Sequence, residues 1–182
     1  MEIVEYKISR YGDNPRHGAV LKDGRQWLCT KDNVVDYVLD GIMFTNKKYI
    51  RNIQDVELAG LDVMLSQIIP LKYTQFQNDK EYISNLILDD YHEFFLHIMA
   101  LGQLIEIGLD KNNAVYVGTI CCVHDKSFMV DLIDTNANYD EKARIPFDKV
   151  RYIKLDTDYL NSLEIFIKNR ALYDKRNLDI NY

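Results

Sequence analysis

Few residues of this 182-residue chain have types and spacings that could do chemistry. The densest group is Asp89-Asp90-Tyr91-His92-Glu93. On a helix, Asp89 would line up with His92 and Glu93, three donors on one face that would suit a divalent metal or an acid/base pair. No second cluster stands ready to complete such a site, and a solvated acidic helix surface accounts for the same residues. No metal ligand and no catalytic residue is therefore assigned. His17, His92, His97 and His124 share no ligand spacing, and His92 and His97, five apart, point to different helix faces. Cys121 and Cys122 are adjacent on a predicted strand and should face opposite sides. A thiol nucleophile there would need His124 beside one of them as its base. Three cysteines in this arrangement form neither a disulfide framework nor a zinc pattern, so buried reduced thiols are expected. The eight glycines are scattered and none opens a helix in a phosphate-cradling loop, so no nucleotide or other cofactor is expected.

Basic residues interleaved with aromatics can bind single-stranded nucleic acid. Lys47-Lys48-Tyr49-Ile50-Arg51 has that character and is echoed by Lys149-Val150-Arg151-Tyr152. Lysines that protect an exposed strand edge explain the same residues. Charge favours the second explanation: the net charge is −6, and residues 56–110 hold two Lys+Arg against nine Asp+Glu. An acidic middle between nearly neutral ends is not the footprint of a phosphate-backbone binder. Trp27 and the thirteen tyrosines supply amphipathic surface of the kind enriched at protein interfaces. Trp27 and Leu28 should lie on opposite strand faces, with one of them exposed or covered by helices.

The elements that must position these residues follow from pattern. In the C-terminal half, strands are predicted at 104–109, 115–123, 128–133, 144–147 and 150–155, with turns at 110–113, 124–126 and 135–138. Gly118 marks a bend or a close backbone approach, and Pro146 belongs at an edge or a strand end. In the N-terminal half, strands at 3–9, 17–21, 26–30, 34–39, 42–45 and 47–53 are separated by a turn cluster at 11–15 and by the hairpin pairs Asp23-Gly24 and Asp40-Gly41. A shift of one hundred residues superposes Gly18 on Gly118, Asp40 on Asp140, Arg51 on Arg151 and Ile53 on Ile153. That pattern suggests a tandem duplication, with a single mixed α+β domain as the alternative. Between the halves, Leu58, Leu61, Leu65 and Ile68 predict a helix over 55–69 ended by Pro70, followed by a connector at 71–78. Apolar positions from Ile83 to Met99 predict one helix over 80–100. A last helix, capped by Asp156 or Thr157, should run to about 170. The final dozen residues are expected to fray or to dock on a partner.

Five short strands at such tight spacing favour a strongly bent barrel over a flat sheet with two long unprotected edges. With Gly118 in its second strand, an apolar third strand ending at Asp134, and the closing run Ile145-Pro146-Phe147-Asp148-Lys149-Val150-Arg151-Tyr152-Ile153, the C-terminal half resembles the Sm-like fold. The resemblance covers about a third of the chain. It implies a helix followed by five bent strands, and an RNA site drawing on a loop Asn, for which Asn136 or Asn138 could stand, and on Arg151. Tyr152 follows Arg151 where the family has glycine. Small barrels of this kind, as found in uncharacterised bacterial proteins, imply no activity.

The expected fold is thus α+β, mainly β: an N-terminal five-stranded barrel over residues 1–55, an acidic helical linker over 56–100, and a second Sm-like barrel with a C-terminal helix over 101–182. The expected function is that of a non-enzymatic binding module that recognises another protein, as a monomer or a modest homodimer through its helices, with no cofactor. The alternatives are an Sm-like RNA-binding protein and, after that, a metal-dependent hydrolase using His92. Any binding surface is expected to draw on Lys47, Lys48, Arg51, Asn136, Asn138 and Arg151. An acidic start and the lack of a membrane-length apolar run point to a cytoplasmic protein with no membrane partner.

Overall fold

A computed structural model describes residues 2–9, 14–72, 77–110 and 114–179, without the side chains of 80, 81 and 171–179. Parts of the predicted turns at 11–15 and 110–113 and of the connector at 71–78 lie outside the described residues, as do the side chains of the last dozen positions. The strands are β1 (Ile3–Ile8), β2 (Arg16–Asp23), β3 (Trp27–Val35), β4 (Val38–Asn46), β5 (Ile50–Asp55), β6 (Ile105–Leu109), β7 (Val115–His124), β8 (Ser127–Ile133), β9 (Tyr139–Pro146) and β10 (Val150–Leu155). The helices are α1 (Val56–Ala59), α2 (Val63–Leu71), α3 (Gln77–Ser84), α4 (Tyr91–Leu101) and α5 (Asp158–Asp179).

All ten strands form one antiparallel sheet in the order β5-β1-β2-β3-β4-β10-β6-β7-β8-β9. Two barrels joined by a helical linker are therefore not what the chain builds. The physical reason lies in β4 and β10. Ile42, Met43 and Phe44 of β4 are buried on both faces, as is every residue of β10. Strands apolar on both sides belong inside a sheet. They pair with each other, Ile153 opposite Phe44 and Leu155 opposite Ile42, and neither half closes on itself. The segment 56–100 is not a spacer either, because α2 packs on Ile3 and Ala19 while α4 packs on strands of both halves.

Each half nevertheless follows the same strand scheme. Gly18 faces Asp32 as Gly118 faces Leu132, and Val20 faces Thr30 as Ile120 faces Val130. Both hairpins then bulge at the next residue, Leu21 or Cys121. A β carbon on Gly18 would lie 2.7 Å from that of Thr30, and one on Gly118 would lie 2.3 Å from the Asp131 carbonyl oxygen. The two glycines thus serve one need, the close crossing of the second and third strands.

The helices depart from the sequence pattern where caps intervene. The helix predicted over 80–100 is two helices, because the Asp90 carboxylate accepts the Glu93 N–H and starts α4 afresh. Asp62 does the same for α2 through the Leu65 N–H, and Gly60, at φ 63°, ends α1. Pro70 sits inside the last turn of α2. Trp27 and Leu28 are both buried, since α4 covers one face of β3 and the first half's own cluster covers the other.

Candidate functional site

The apolar cluster of the first half contains Val4, Tyr6, Leu28 and Met43, with Val20 and Ile50 packed against it. The structural equivalents in the second half, Ile105, Ile107, Phe128, Ala143, Ile120 and Val150, belong to or pack against the main core. The two clusters are finished differently. In the second half α4 closes the cluster: the Phe95 ring stacks at 4.2 Å on Phe128 and at 4.9 Å on Phe147. In the first half no described helix occupies the matching place. A cavity of about 360 Å³ opens there, walled by Val4, Val20, Leu28, Ile50 and Ile53. Its rim is polar: Glu2, and Asp23 in an ion pair with Lys47. Ile53, on the edge strand β5, is 49% exposed. An open cavity with an apolar lining and a few rim charges takes apolar groups and fixes their direction by charge.

A second cavity, of about 480 Å³, lies where the β2–β3 and β7–β8 turns meet the start of α4, and includes Arg25, Asp89, Asp90, His92, Asp125 and Asp148 in its lining. Asp89, His92 and Glu93 do not converge in it as three donors. Asp89 precedes α4 and accepts the Arg25 N–H, Asp90 is spent on the helix cap, and His92 Nδ1 lies 3.9 Å from Glu93. Among the described residues, no group of three or more His, Cys, Asp or Glu is placed to hold a metal.

The six residues expected to form a binding surface divide between two ends of the sheet. Lys47 pairs with Asp23, and Lys48 approaches the Asp148 carboxylate at 3.8 Å. Arg51 donates to the Lys48 and Ile50 carbonyls. Arg151 is 1% exposed and donates to the Asp110 carbonyl. Tyr49 joins this end by donating to the Asp148 carbonyl, and burial, followed by the Asp110 charge, pushes its phenol up to about 12. Asn136 and Asn138 lie in the turn before β9, where both backbone N–H groups donate to Asp134. The Asn138 donor, first, and then the Asn136 one hold the Asp134 carboxyl below its ordinary value. Eight residues of β9 separate this turn from Asp148, roughly 25 Å of strand.

Of the cysteines, Cys29 alone is buried, and burial raises its thiol well above the ordinary value. Cys121 is exposed because it is the bulge residue of β7, which corrects the expectation of buried thiols. His124 Nε2 lies 3.8 Å from the Cys122 sulfur, on an open strand surface. No described helix is long and apolar enough to cross a membrane.

Sequence reasoning missed the first-half cavity, although its signal was present. The hundred-residue shift places Asp23 on Val123 and Lys47 on Phe147, so polar residues stand in one half where the other needs apolar ones. These features define an α+β protein built on one ten-stranded sheet. The chain matches no family model, no curated protein and no solved structure.

Proposed function

We propose that this chain is a non-enzymatic module that recognises another protein through the apolar cavity of its first half. The observation that carries the reading is that cavity, lined by Val4, Val20, Leu28, Ile50 and Ile53 and open at Ile53. Its lining is suited to side-chain burial and poor in groups that could do chemistry. The RNA alternative has weaker support, because Lys47 and Lys48 are engaged with carboxylates and Arg151 is buried.

A photo-crosslinking residue at position 53 of the full chain, in extract of the source cell, tests the proposal against one at Tyr139, which is also exposed. A discrete protein adduct at 53 and not at 139 is expected. Equal labelling at both positions sinks the reading. Submicromolar binding of single-stranded RNA that falls steeply with salt, and is lost in Lys47→Ala/Lys48→Ala/Arg51→Ala, would put the RNA reading in its place.

A further inference from the structure

The second half records what kind of group fits the first. Phe128 and Phe147, on which the Phe95 ring stacks, are the counterparts of Leu28 and Lys47. Both of those line the open cavity. Ile105, Ile120, Val150 and Ile153, the counterparts of Val4, Val20, Ile50 and Ile53, are buried in the core that α4 completes. α4 places Tyr91, Phe94, Phe95, Ile98, Met99 and Leu101 on that core. Phe94 turns to Trp27 and Phe44 of the first half, while Phe95, the ring on Phe128 and Phe147, begins an i, i+3, i+4 stripe with Ile98 and Met99.

Charge sets the direction. The chain runs from the C-terminal end of α4 through Gln103 into β6, and the position of Gln103 is taken in the first half by Glu2. A helix docked in the first half as α4 docks in the second therefore ends beside a carboxylate. Helix C-termini carry partial negative charge and favour cations in the last turn. The Asp23–Lys47 pair is internally neutral, which among the described lining residues leaves Glu2 as the rim charge to be met.

We infer that the first-half cavity takes an amphipathic helix of another protein, docked as α4 docks on the second half. That helix presents an aromatic residue followed by aliphatic residues three and four positions on, and carries Lys or Arg in its last turn. This rests on the protein-binding reading above and goes further by naming the bound element and its chemistry. The α4 of a second copy is not the occupant, because it is already packed in its own core. A second copy docked through α5, which exposes Tyr159, Ile165 and Phe166, would show as a dimer in light scattering and would overturn the inference.

The test uses synthetic amphipathic helices of about 18 residues, long enough to form several turns, with Phe, Ile and Met at i, i+3 and i+4. One peptide ends in Lys-Arg, one ends in Glu-Glu, and one has the Phe replaced by Ala. Each is titrated into the full chain with methyl NMR as the readout. The Lys-Arg peptide is expected to shift the methyls of Val4, Val20, Leu28, Ile50 and Ile53 while leaving those of Ile105, Ile120 and Ile153 in place. The other two peptides, and the exposed-site variant Ile53→Glu with the Lys-Arg peptide, should each bind at least about tenfold more weakly. Shifts at Ile105 and Ile120 would mean displacement of α4 and would overturn the inference. So would equal binding of all three peptides, or no binding by any. A protein adduct at position 53 without peptide binding would sink the helix assignment and leave the protein-binding reading standing.

Discussion

Replacing Lys154 by Met should cost this protein more than any change at a surface charge. Asp32 of β3 is fully buried, and its Oδ2 meets Lys154 Nζ at 2.6 Å and an Arg16 guanidinium nitrogen at 3.2 Å, while Oδ1 accepts no hydrogen bond from the described residues. Lys154 belongs to β10, so the pair reaches across β4 and ties the second half of the sheet to the first. An exposed ion pair is worth at most about 1 kcal/mol. Removing one partner of a buried pair costs about 3–5 kcal/mol, because the remaining charge is stranded. Arg16 stays beside Asp32, which puts the expected loss near the lower figure, about 3 kcal/mol. Against a total stability of about 5–15 kcal/mol that is a large share. Urea unfolding followed by circular dichroism reads it directly: with a slope of about 2 kcal/mol/M the midpoint should fall by about 1.5 M. Lys154→Met combined with Asp32→Leu should regain part of the loss, since the buried carboxylate is gone, while Arg16, 19% exposed, gives up its contact with Asp32. A loss below about 1 kcal/mol in the single variant, or no recovery in the double, would refute the reasoning.

Gly118→Ala should destabilise by about 1–3 kcal/mol through its clash with the Asp131 carbonyl. Gly60→Ala, with open space around it, should cost only the left-handed strain of about 1 kcal/mol. Equal losses in the two thermal melts would contradict the close-crossing argument. At Asp156, burial and then the Asp79 charge raise the carboxyl, so its contribution to stability is full below the unfolded value and is lost as pH rises through the folded one. Asp156→Asn, which tolerates the φ of 53°, should therefore raise the melting temperature at about pH 7 and change it little at about pH 3. A gain confined to acid would reverse the assignment. Light scattering should report a monomer or at most a dimer, with any dimer lost in Met64→Lys/Leu71→Lys on the exposed side of α2; a larger assembly, or a dimer that survives, would exclude α2 as its interface.

Much of the strand scheme was legible because it occurs twice. Gly18 and Gly118, and the hairpin turns at Asp23-Gly24 and Asp125-Lys126, fixed equivalent strands from local chemistry alone. What local chemistry did not reveal was which strands meet. A five-stranded unit can pair its fourth and fifth strands with each other or with a second unit's, and only the burial demand of Ile42-Met43-Phe44 and Val150 to Leu155 decides between them. Lys154 and Arg151 pointed the wrong way, since their charge suggests an exposed edge, whereas each is buried against a partner. The break before α4 was visible in Asp90 followed three residues later by Glu93, a capping pattern that the run of apolar spacing masked. The cavity was the hardest feature to find, because its evidence is a difference between equivalent positions and not any residue type.

The sheet edges bear on where the proposed protein recognition would fall. By the scheme that joins β4 to β10, β9 of one molecule could join β5 of another, and a chain with two such complementary edges would polymerise. The residues at the two places differ in kind. Where β4 offers Ile42, Met43 and Phe44, β9 offers Lys142, Ala143 and Arg144, preceded by Asp140 and Glu141 and ended by Pro146. Where β10 is buried along its whole length, β5 exposes Arg51, Asn52, Ile53 and Gln54, with Asn52 at φ 53° kinking the strand. Charge, proline and a kink are the means by which edge strands avoid pairing. With both edges blunted, apolar surface remains elsewhere: in the first-half cavity, on the outer side of α1 and α2, where Leu58 is 90% exposed, on α5 at Tyr159, Ile165 and Phe166, and at the β3–β4 turn at Val35 and Val38. The cavity is the most selective of these, because a concave wall with Glu2 on its rim imposes shape and charge together, whereas a convex helix or turn surface imposes neither.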